Sequence, residues 1–210
     1  SSSARATRIQ SAALPLAALG LLLGAVLWSW MPGALPMGLA LSAIGLLVAT
    51  GLLLLSGAAV RASPQAVPVF TLFCAAWVLA GVLNALLGAL QVFAPQLPDG
   101  TWIARSGLPG RAVGNLRQPN HLSSLLLWSA IAVIPLLELG RLRRGLGAGL
   151  FVRMWFAVVL TASRTGVLGV GVLARWCLLD RRLSRPTWLL LLMSPLLYAL
   201  AWLGLSAWAE

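Results

Sequence analysis

The sequence predicts an all-α, polytopic membrane protein with about seven transmembrane helices. Of the 210 residues, 60% are hydrophobic and 9% are charged, against roughly 45–50% and 25% in soluble domains. The mean hydropathy is +0.94. All fifteen basic residues are arginines, which lie between apolar blocks. Their distribution indicates the ends of membrane spans and not a nucleic-acid surface.

Seven apolar blocks follow one another along the chain, and a spanning helix needs about 17–25 mostly apolar residues. The first block is too long for the apolar region of a signal peptide, so we expect a retained anchor. The blocks form a single transmembrane domain over 1–210, with one long loop at 94–120. The predicted spans are 11–31, 34–56, 67–93, 120–139, 146–162, 166–180 and 187–208.

The arginines predict the orientation of the helices. With a cytoplasmic N-terminus, eleven of the fifteen lie at cytoplasmic ends of spans: Arg5, Arg8, Arg61, Arg141, Arg143, Arg144, Arg153, Arg175, Arg181, Arg182 and Arg185. Four fall on the outer side: Arg105, Arg111, Arg117 and Arg164. Because arginine is scarce on outer faces, these four require a local reason.

Composition excludes several classes of site. The chain has no lysine, which excludes a P-loop, a Schiff-base enzyme and a Ser-Lys dyad. One histidine and two separated cysteines exclude zinc-finger and HExxH sites. Glu138 and Asp180 lie beside Arg141 and Arg181 and predict local ion pairs.

Glycine spacing predicts close helix packing in two places. Gly20-x-x-x-Gly24 is a weak packing motif, and Gly166, Gly169 and Gly171 form a cluster. Nucleotide binding is not expected, since no strand precedes either set.

The end of the long loop carries the most informative polar residues. Pro119 stops any preceding helix, Asn120 is a good N-cap, and an apolar run follows. A helix beginning at Asn120 would point its free N–H groups outward, beside Arg111 and Arg117. The segment therefore predicts an anion site.

A second outer segment, 161–166, interrupts two apolar runs. Ser163 or Thr165 is expected to cap the sixth span, and Arg164 adds a fixed positive charge. Because the outer face has few carboxylates, its guanidinium groups predict an anionic ligand such as phosphate.

Other interpretations of these residues stay open. Arg111 and Arg117 would also suit the phosphate of a lipid headgroup. Arg164 would also suit a position at the outer surface, reached by its long side chain. His121, at a helix start, is ordinarily a local hydrogen-bonding residue.

Two strings, GRAVGNLRQPNHLSSLLL at 110–127 and TASRTGVLGV at 161–170, resemble the bacterial O-antigen ligase superfamily. The branch most similar is that of the O-linked protein oligosaccharyltransferases, or pilin glycosylation ligases. The resemblance implies a multi-pass enzyme of the bacterial inner membrane, with a C-type glycosyltransferase fold and no metal or other cofactor. Such an enzyme moves a glycan from undecaprenyl diphosphate to a periplasmic acceptor, which is a hydroxyl of a protein such as pilin, the lipid A core or a growing polysaccharide.

The resemblance also implies roles for individual residues. Arg111, Arg117 and Arg164 would hold the pyrophosphate, and Gln118 and Asn120 would orient the donor or the acceptor. The implied catalytic set is His121, Gln118 and Arg164, and the implied substrate-binding set is Arg111, Arg117, Asn115, Asn120 and Ser163.

The resemblance further implies a missing segment. Family members carry a catalytic histidine in a large periplasmic loop, and this chain ends at Glu210, about where that loop would begin. We therefore expect a truncated member or fragment, in which His121 is the candidate base.

Two other functions compete with this interpretation. A transporter would need charges or broken helices near the bilayer midplane, whereas the polar groups here gather at the outer interface. A non-catalytic remnant would differ from the enzyme only in lacking activity.

Overall fold

The computed structural model describes residues 2–31 and 33–209, with side chains described for 13–31 and 33–208. The side chains of Arg5 and Arg8 lie outside the described residues, as does Glu210. The described chain is all helical, as predicted. Its elements are α1 (Ser2–Trp30), α2 (Met37–Arg61), α3 (Ala66–Phe93), a short 3-10 helix (Gly114–Leu116), α4 (Pro119–Glu138), α5 (Arg144–Leu160), α6 (Arg164–Leu179), α7 (Arg185–Leu192) and α8 (Ser194–Ala209).

The helices confirm a membrane protein. Within the described residues, α1, α2, α3 and α4 are each long and apolar enough to cross a membrane. The pair α7 and α8 meets the same requirement if it is one bent span. α5 and α6, with 17 and 16 residues, are about as long as the spans predicted at 146–162 and 166–180, which places them at the lower limit of the roughly 17–25 residues that a spanning helix needs.

The seventh predicted span, 187–208, is broken. α7 ends at Leu192, α8 begins at Ser194, and the two are bent by 44°. The cause is Pro195, which has no N–H to donate to the carbonyl of Leu191 and whose ring crowds that carbonyl.

The chain divides into two compact units, Ser1–Val69 and Phe70–Glu210. In the first, α1 packs against α2. The close packing predicted for Gly20 and Gly24 is wrong among the described residues, since apart from neighbouring backbone of the same helix none of their heavy atoms lies within 4 Å of a Cβ built on either glycine.

In the second unit, α4 and α5 pack together, and α6, α7 and α8 pack against them. The largest fully buried side chains are mostly apolar and include Trp155, Phe151 and Leu122. Close packing is confirmed at Gly166 and Gly169, where an added Cβ would lie 2.6 Å from a Val158 methyl group and 2.5 Å from a Leu127 methyl group. Gly171 has nothing within 4 Å and takes no part in this packing.

α4 has 20 residues and is therefore about 30 Å long, close to the thickness of a bilayer core. At its Pro119 end lie the end of α5 and the start of α6, which hydrogen bonds join to the loop and to α4. At its Glu138 end lie the starts of α5 and α7. The second unit thus has two polar ends separated by an apolar core.

The carboxylates at the Glu138 end of this unit accept hydrogen bonds from neutral donors. Glu138 Oε1 accepts hydrogen bonds from the backbone N–H (3.0 Å) and hydroxyl (2.8 Å) of Ser184. Asp180 accepts bonds from an indole N–H (3.3 Å) and a backbone N–H (3.0 Å) of its own turn. The ion pairs predicted with Arg141 and Arg181 are therefore wrong among the described residues, because nearby neutral donors satisfy the carboxylates while the exposed arginines stay hydrated.

Candidate functional site

A buried glutamine at the end of α3 holds the long loop in place. The Gln91 side chain is 4% exposed. Its Oε1 accepts hydrogen bonds from the N–H groups of Val113 (2.9 Å) and Gly114 (2.8 Å). Its Nε2 donates to the carbonyls of Ala104 (2.6 Å) and Gly114 (3.1 Å). One side chain thus satisfies four backbone groups that the buried part of the loop could not leave unpaired.

Asn115 also holds the loop together. Its Oδ1 accepts from the N–H of Ala104 at 2.9 Å, and its Nδ2 donates to the carbonyl of Trp102 at 2.8 Å. Both the oxygen and the nitrogen of this amide therefore form hydrogen bonds with backbone groups. The contacts support a positioning role for Asn115, beside the substrate-binding role that remains a prediction.

Gly114 permits the tight approach of the loop to α3 and α4. It is buried and has a φ of +56°, a left-handed conformation that favours glycine. A Cβ there would lie 2.9 Å from Asn84 Oδ1 and 3.0 Å from Leu122 Cδ1. The Asn84 Nδ2 group donates to Ala80 of its own helix.

Arg111 connects the loop to the C-terminus of α5. Its Nε donates to the carbonyl of Thr161 (3.1 Å), and an Nη donates to the carbonyl of Ala162 (3.0 Å). The N–H of Ala112 donates to the carbonyl of Leu160 at 2.8 Å. Two of the five guanidinium N–H donors are thus used at a helix end whose dipole favours a cation, and three donors are left.

The starts of α4 and α6 are joined by one hydrogen bond. Ser163 is the N-cap of α6, as predicted, and its Oγ accepts from the N–H of Thr165. The same hydroxyl donates to Asn120 Oδ1 at 2.7 Å. The two segments that the sequence singles out therefore meet at one end of the second unit.

The predicted N-cap of α4 is two residues late. The helix begins at Pro119, and its N-cap is Gln118, whose side chain makes no capping bond. Proline suits the first helical position because its fixed φ is helical and its missing N–H would have no partner there. Asn120 therefore lies within the first turn, where its side chain is available to Ser163.

The starts of α4 and α6, joined by the Ser163–Asn120 bond, form a junction at this end of the second unit. Four predicted site residues beside it have no hydrogen-bond or ion-pair partner among the described residues. The side chains of Arg117, Gln118, His121 and Arg164 are exposed and make no hydrogen bond or ion pair with the described residues. The first-turn N–H groups of residues 120, 121 and 164 are also without a described acceptor. Guanidinium groups and positive helix ends thus lie together without a carboxylate, which is the composition of an anion site.

The backbone on both sides of the junction is strained. Arg117 has a φ of +57° and Ala162 a φ of +45°, and they are the two non-glycine residues with positive φ in the described chain. Such conformations cost on the order of 1–2 kcal/mol. Strain of this kind persists where surrounding contacts fix the backbone, and it is concentrated at functional sites.

Of the predicted site residues, the structure brings Asn120 and Ser163 into contact and places Arg117, Gln118, His121 and Arg164 within three residues of that contact. Arg111 and Asn115 lie in the same loop, and their side chains form hydrogen bonds with backbone groups. Gln91 is the important residue that sequence reasoning missed as a site residue. A glutamine at the end of an apolar helix was the available signal, but its four partners lie 13 to 23 residues away.

A family model described as "Protein glycosylation ligase" matches residues 112–137. The matched segment runs from the Gln91-bound part of the loop through almost all of α4. No curated protein and no solved structure matches the chain. The match indicates a glycosylation ligase, a kind of transferase, and it falls on the segment that forms half of the site.

Proposed function

We propose that the chain is a membrane glycosyltransferase that moves a glycan from undecaprenyl diphosphate to a protein hydroxyl. The proposal is carried by one observation: the starts of α4 and α6 are joined by the Ser163–Asn120 bond and flanked by the unpaired guanidinium groups of Arg117 and Arg164. A diphosphate is the leaving group that such an arrangement suits. We assign the site to the periplasmic face of a bacterial inner membrane.

The reaction forms one bond and breaks one. The acceptor oxygen attacks the anomeric carbon of the glycan, and the bond from that carbon to the diphosphate oxygen breaks with its electron pair going to the phosphate. Arg117, Arg164 and the free N–H groups of α4 would stabilise this developing negative charge, because preplaced donors require no reorganisation during the reaction.

The hydroxyl proton must also be accepted by a base. His121 lies on the first turn of α4, exposed and without a described partner, and we assign it this role. Gln118, one residue before the helix, would orient the acceptor. The description of the matching family supports a protein as the acceptor.

Binding of undecaprenyl diphosphate to the purified chain in detergent tests the diphosphate site. We expect Arg117→Ala and Arg164→Ala each to weaken binding by about tenfold or more, since a hydrogen bond to a charged group contributes roughly 1.5–3 kcal/mol. Arg105→Ala is the matched control: it removes the same charge from the same loop, where Arg105 donates to the carbonyl of Pro98. Equal binding by all four proteins would reject the proposal.

Two further measurements separate the proposal from its alternatives. If the arginines bind ordinary lipid headgroups, excess phosphatidylglycerol will displace the diphosphate carrier with similar affinity, whereas a diphosphate site resists it. Transfer is measured by incubating the chain with a carrier-linked glycan and pilin. We expect His121→Ala to abolish transfer while leaving carrier binding within twofold, and unchanged transfer would exclude His121 as the base.

A further inference from the structure

A pocket of about 550 Å³ opens at the end of the second unit opposite to the proposed active site. It lies between the end of α4 and the starts of α5 and α7. Its apolar wall includes Leu137, Leu142 and Leu190. Its polar lining consists of Glu138, Arg143, Arg144, Ser184 and Thr187.

The turns that form this pocket are strongly cationic. Residues 138–144 and 180–185 hold six arginines against two carboxylates. Glu138 accepts its hydrogen bonds from Ser184, and Asp180 accepts its hydrogen bonds from residues of its own turn. No described arginine side chain is paired with either carboxylate. The guanidinium groups of Arg143 and Arg144 therefore line the pocket without an ion-pair partner among the described residues, although the Glu138 carboxylate lies in the same lining.

The start of α5 adds to this positive field. α5 begins at Arg144 with no side-chain cap, and the first bonded N–H, that of Gly147, donates to the carbonyl of Arg143. The N–H groups of residues 144–146 have no described acceptor. They form the positive end of a 17-residue helix dipole at the pocket.

The pocket combines this charge with an apolar wall at a membrane face. Pro119 and Glu138 are the two ends of a helix about 30 Å long, so the pocket and the proposed active site lie at opposite faces of the bilayer. Leucines beside arginines match a molecule whose phosphate is attached to acyl chains. Basic pockets of this kind between membrane helices bind anionic lipid headgroups.

We propose that this pocket binds the headgroup of an anionic phospholipid, with Arg143 and Arg144 as the phosphate ligands. The Glu138 carboxylate favours a singly charged phosphodiester over a doubly charged phosphate monoester, because like charges repel at short distance. The hydroxyls of Ser184 and Thr187, 3.1 Å apart, lie at the same wall and suit a polar headgroup such as glycerol. This proposal does not depend on the glycosyltransferase activity at the other end.

The test uses the full chain in phosphatidylcholine nanodiscs titrated with phosphatidylglycerol, with bound lipid counted by native mass spectrometry. We expect the wild-type chain to prefer phosphatidylglycerol by about tenfold or more. Arg143→Gln with Arg144→Gln should remove most of this preference. The matched control, Arg181→Gln with Arg182→Gln, removes the same charge from the same face outside the pocket lining and should keep the preference.

Several outcomes would overturn the proposal. Equal losses in the two double variants would show diffuse charge attraction and no site. Displacement of the lipid by millimolar glycerol phosphate or inorganic phosphate would show a site for a soluble phosphate. A phosphatidylglycerol carrying a photoreactive headgroup gives a readout on the wild-type chain alone: crosslinks are expected within 137–148 and 184–190, and crosslinks confined to other segments would reject the pocket.

Discussion

The Ser163 hydroxyl donates a hydrogen bond of 2.7 Å to Asn120 Oδ1 and at the same time accepts one from the N–H of Thr165. It therefore caps α6 and connects the start of that helix to the first turn of α4. Because both helix starts turn free N–H groups toward the same side, this bond determines how their positive ends are placed relative to each other.

Breaking this bond should lower the stability of the folded protein. Asn120→Ala removes the acceptor and should cost about 1 kcal/mol of unfolding free energy, while Ser163→Ala removes the cap as well and should cost about 2 kcal/mol. Thermal unfolding of both single variants and the double variant in detergent gives the coupling, expected at about 0.5–1.5 kcal/mol. A coupling of zero would mean that the bond contributes nothing to the junction.

Gln91 should be the residue on which the structure of the loop depends most. Gln91→Leu keeps most of the side-chain volume but leaves four buried backbone groups without partners, at about 1–3 kcal/mol for each that water cannot reach. We expect limited proteolysis to cleave the variant within 94–118 at least tenfold faster. Gln96→Leu is the control, because Gln96 is exposed in the same loop and makes no described hydrogen bond. Equal cleavage of the two variants would contradict the assignment.

The sequence was informative where a local rule decides the structure. Apolar length located most of the helices, and the serine before Arg164 marked the start of α6 because capping depends on neighbouring residues only. The predicted start of α4 is late because asparagine and proline both signal a helix start, and here proline takes the first helical position.

Contacts between distant residues could not be predicted in the same way. The four partners of Gln91 and the two carbonyls held by Arg111 depend on how the loop folds back on α3 and α5. For the same reason the ion pair predicted between Glu138 and a neighbouring arginine is wrong, since the partner of Glu138 is Ser184, 46 residues away. The chemistry of a side chain indicates which kind of group it can bind, but the tertiary structure determines which residue supplies that group.

Asp99 should make the loop sensitive to acid. Its carboxylate accepts hydrogen bonds from the N–H groups of Ile103, Thr101 and Trp102, and these hold the pKa of the carboxyl below its usual range. A lowered pKa in the folded state stabilises the turn above the unfolded pKa of about 4, and that contribution is lost as the pH falls through the folded value.

The effect is measured as proteolysis of the 99–103 turn between pH 6 and pH 3. We expect the wild-type turn to loosen below about pH 4. Asp99→Asn retains an acceptor oxygen but has no carboxyl to titrate, so its turn should show a flatter pH profile. Identical profiles for the two proteins would show that Asp99 does not control the turn.

Arg117 should show a conflict between stability and binding. Its backbone has a φ of +57°, so Arg117→Gly relieves strain that Arg117→Ala retains, and the glycine variant should be the more stable by about 1 kcal/mol. Both variants lack the guanidinium group and should bind undecaprenyl diphosphate equally weakly.

Arg164 provides the matched comparison because it lies in α6. At that position the glycine variant should be no more stable than the alanine variant, since glycine disfavours a helix. Thermal unfolding of the four variants tests the predicted stabilities, and binding of undecaprenyl diphosphate tests the predicted loss of affinity. If Arg117→Gly is no more stable than Arg117→Ala, the left-handed backbone stores no strain, and if either Arg117 variant binds like the wild type, the guanidinium group is not a ligand of the diphosphate.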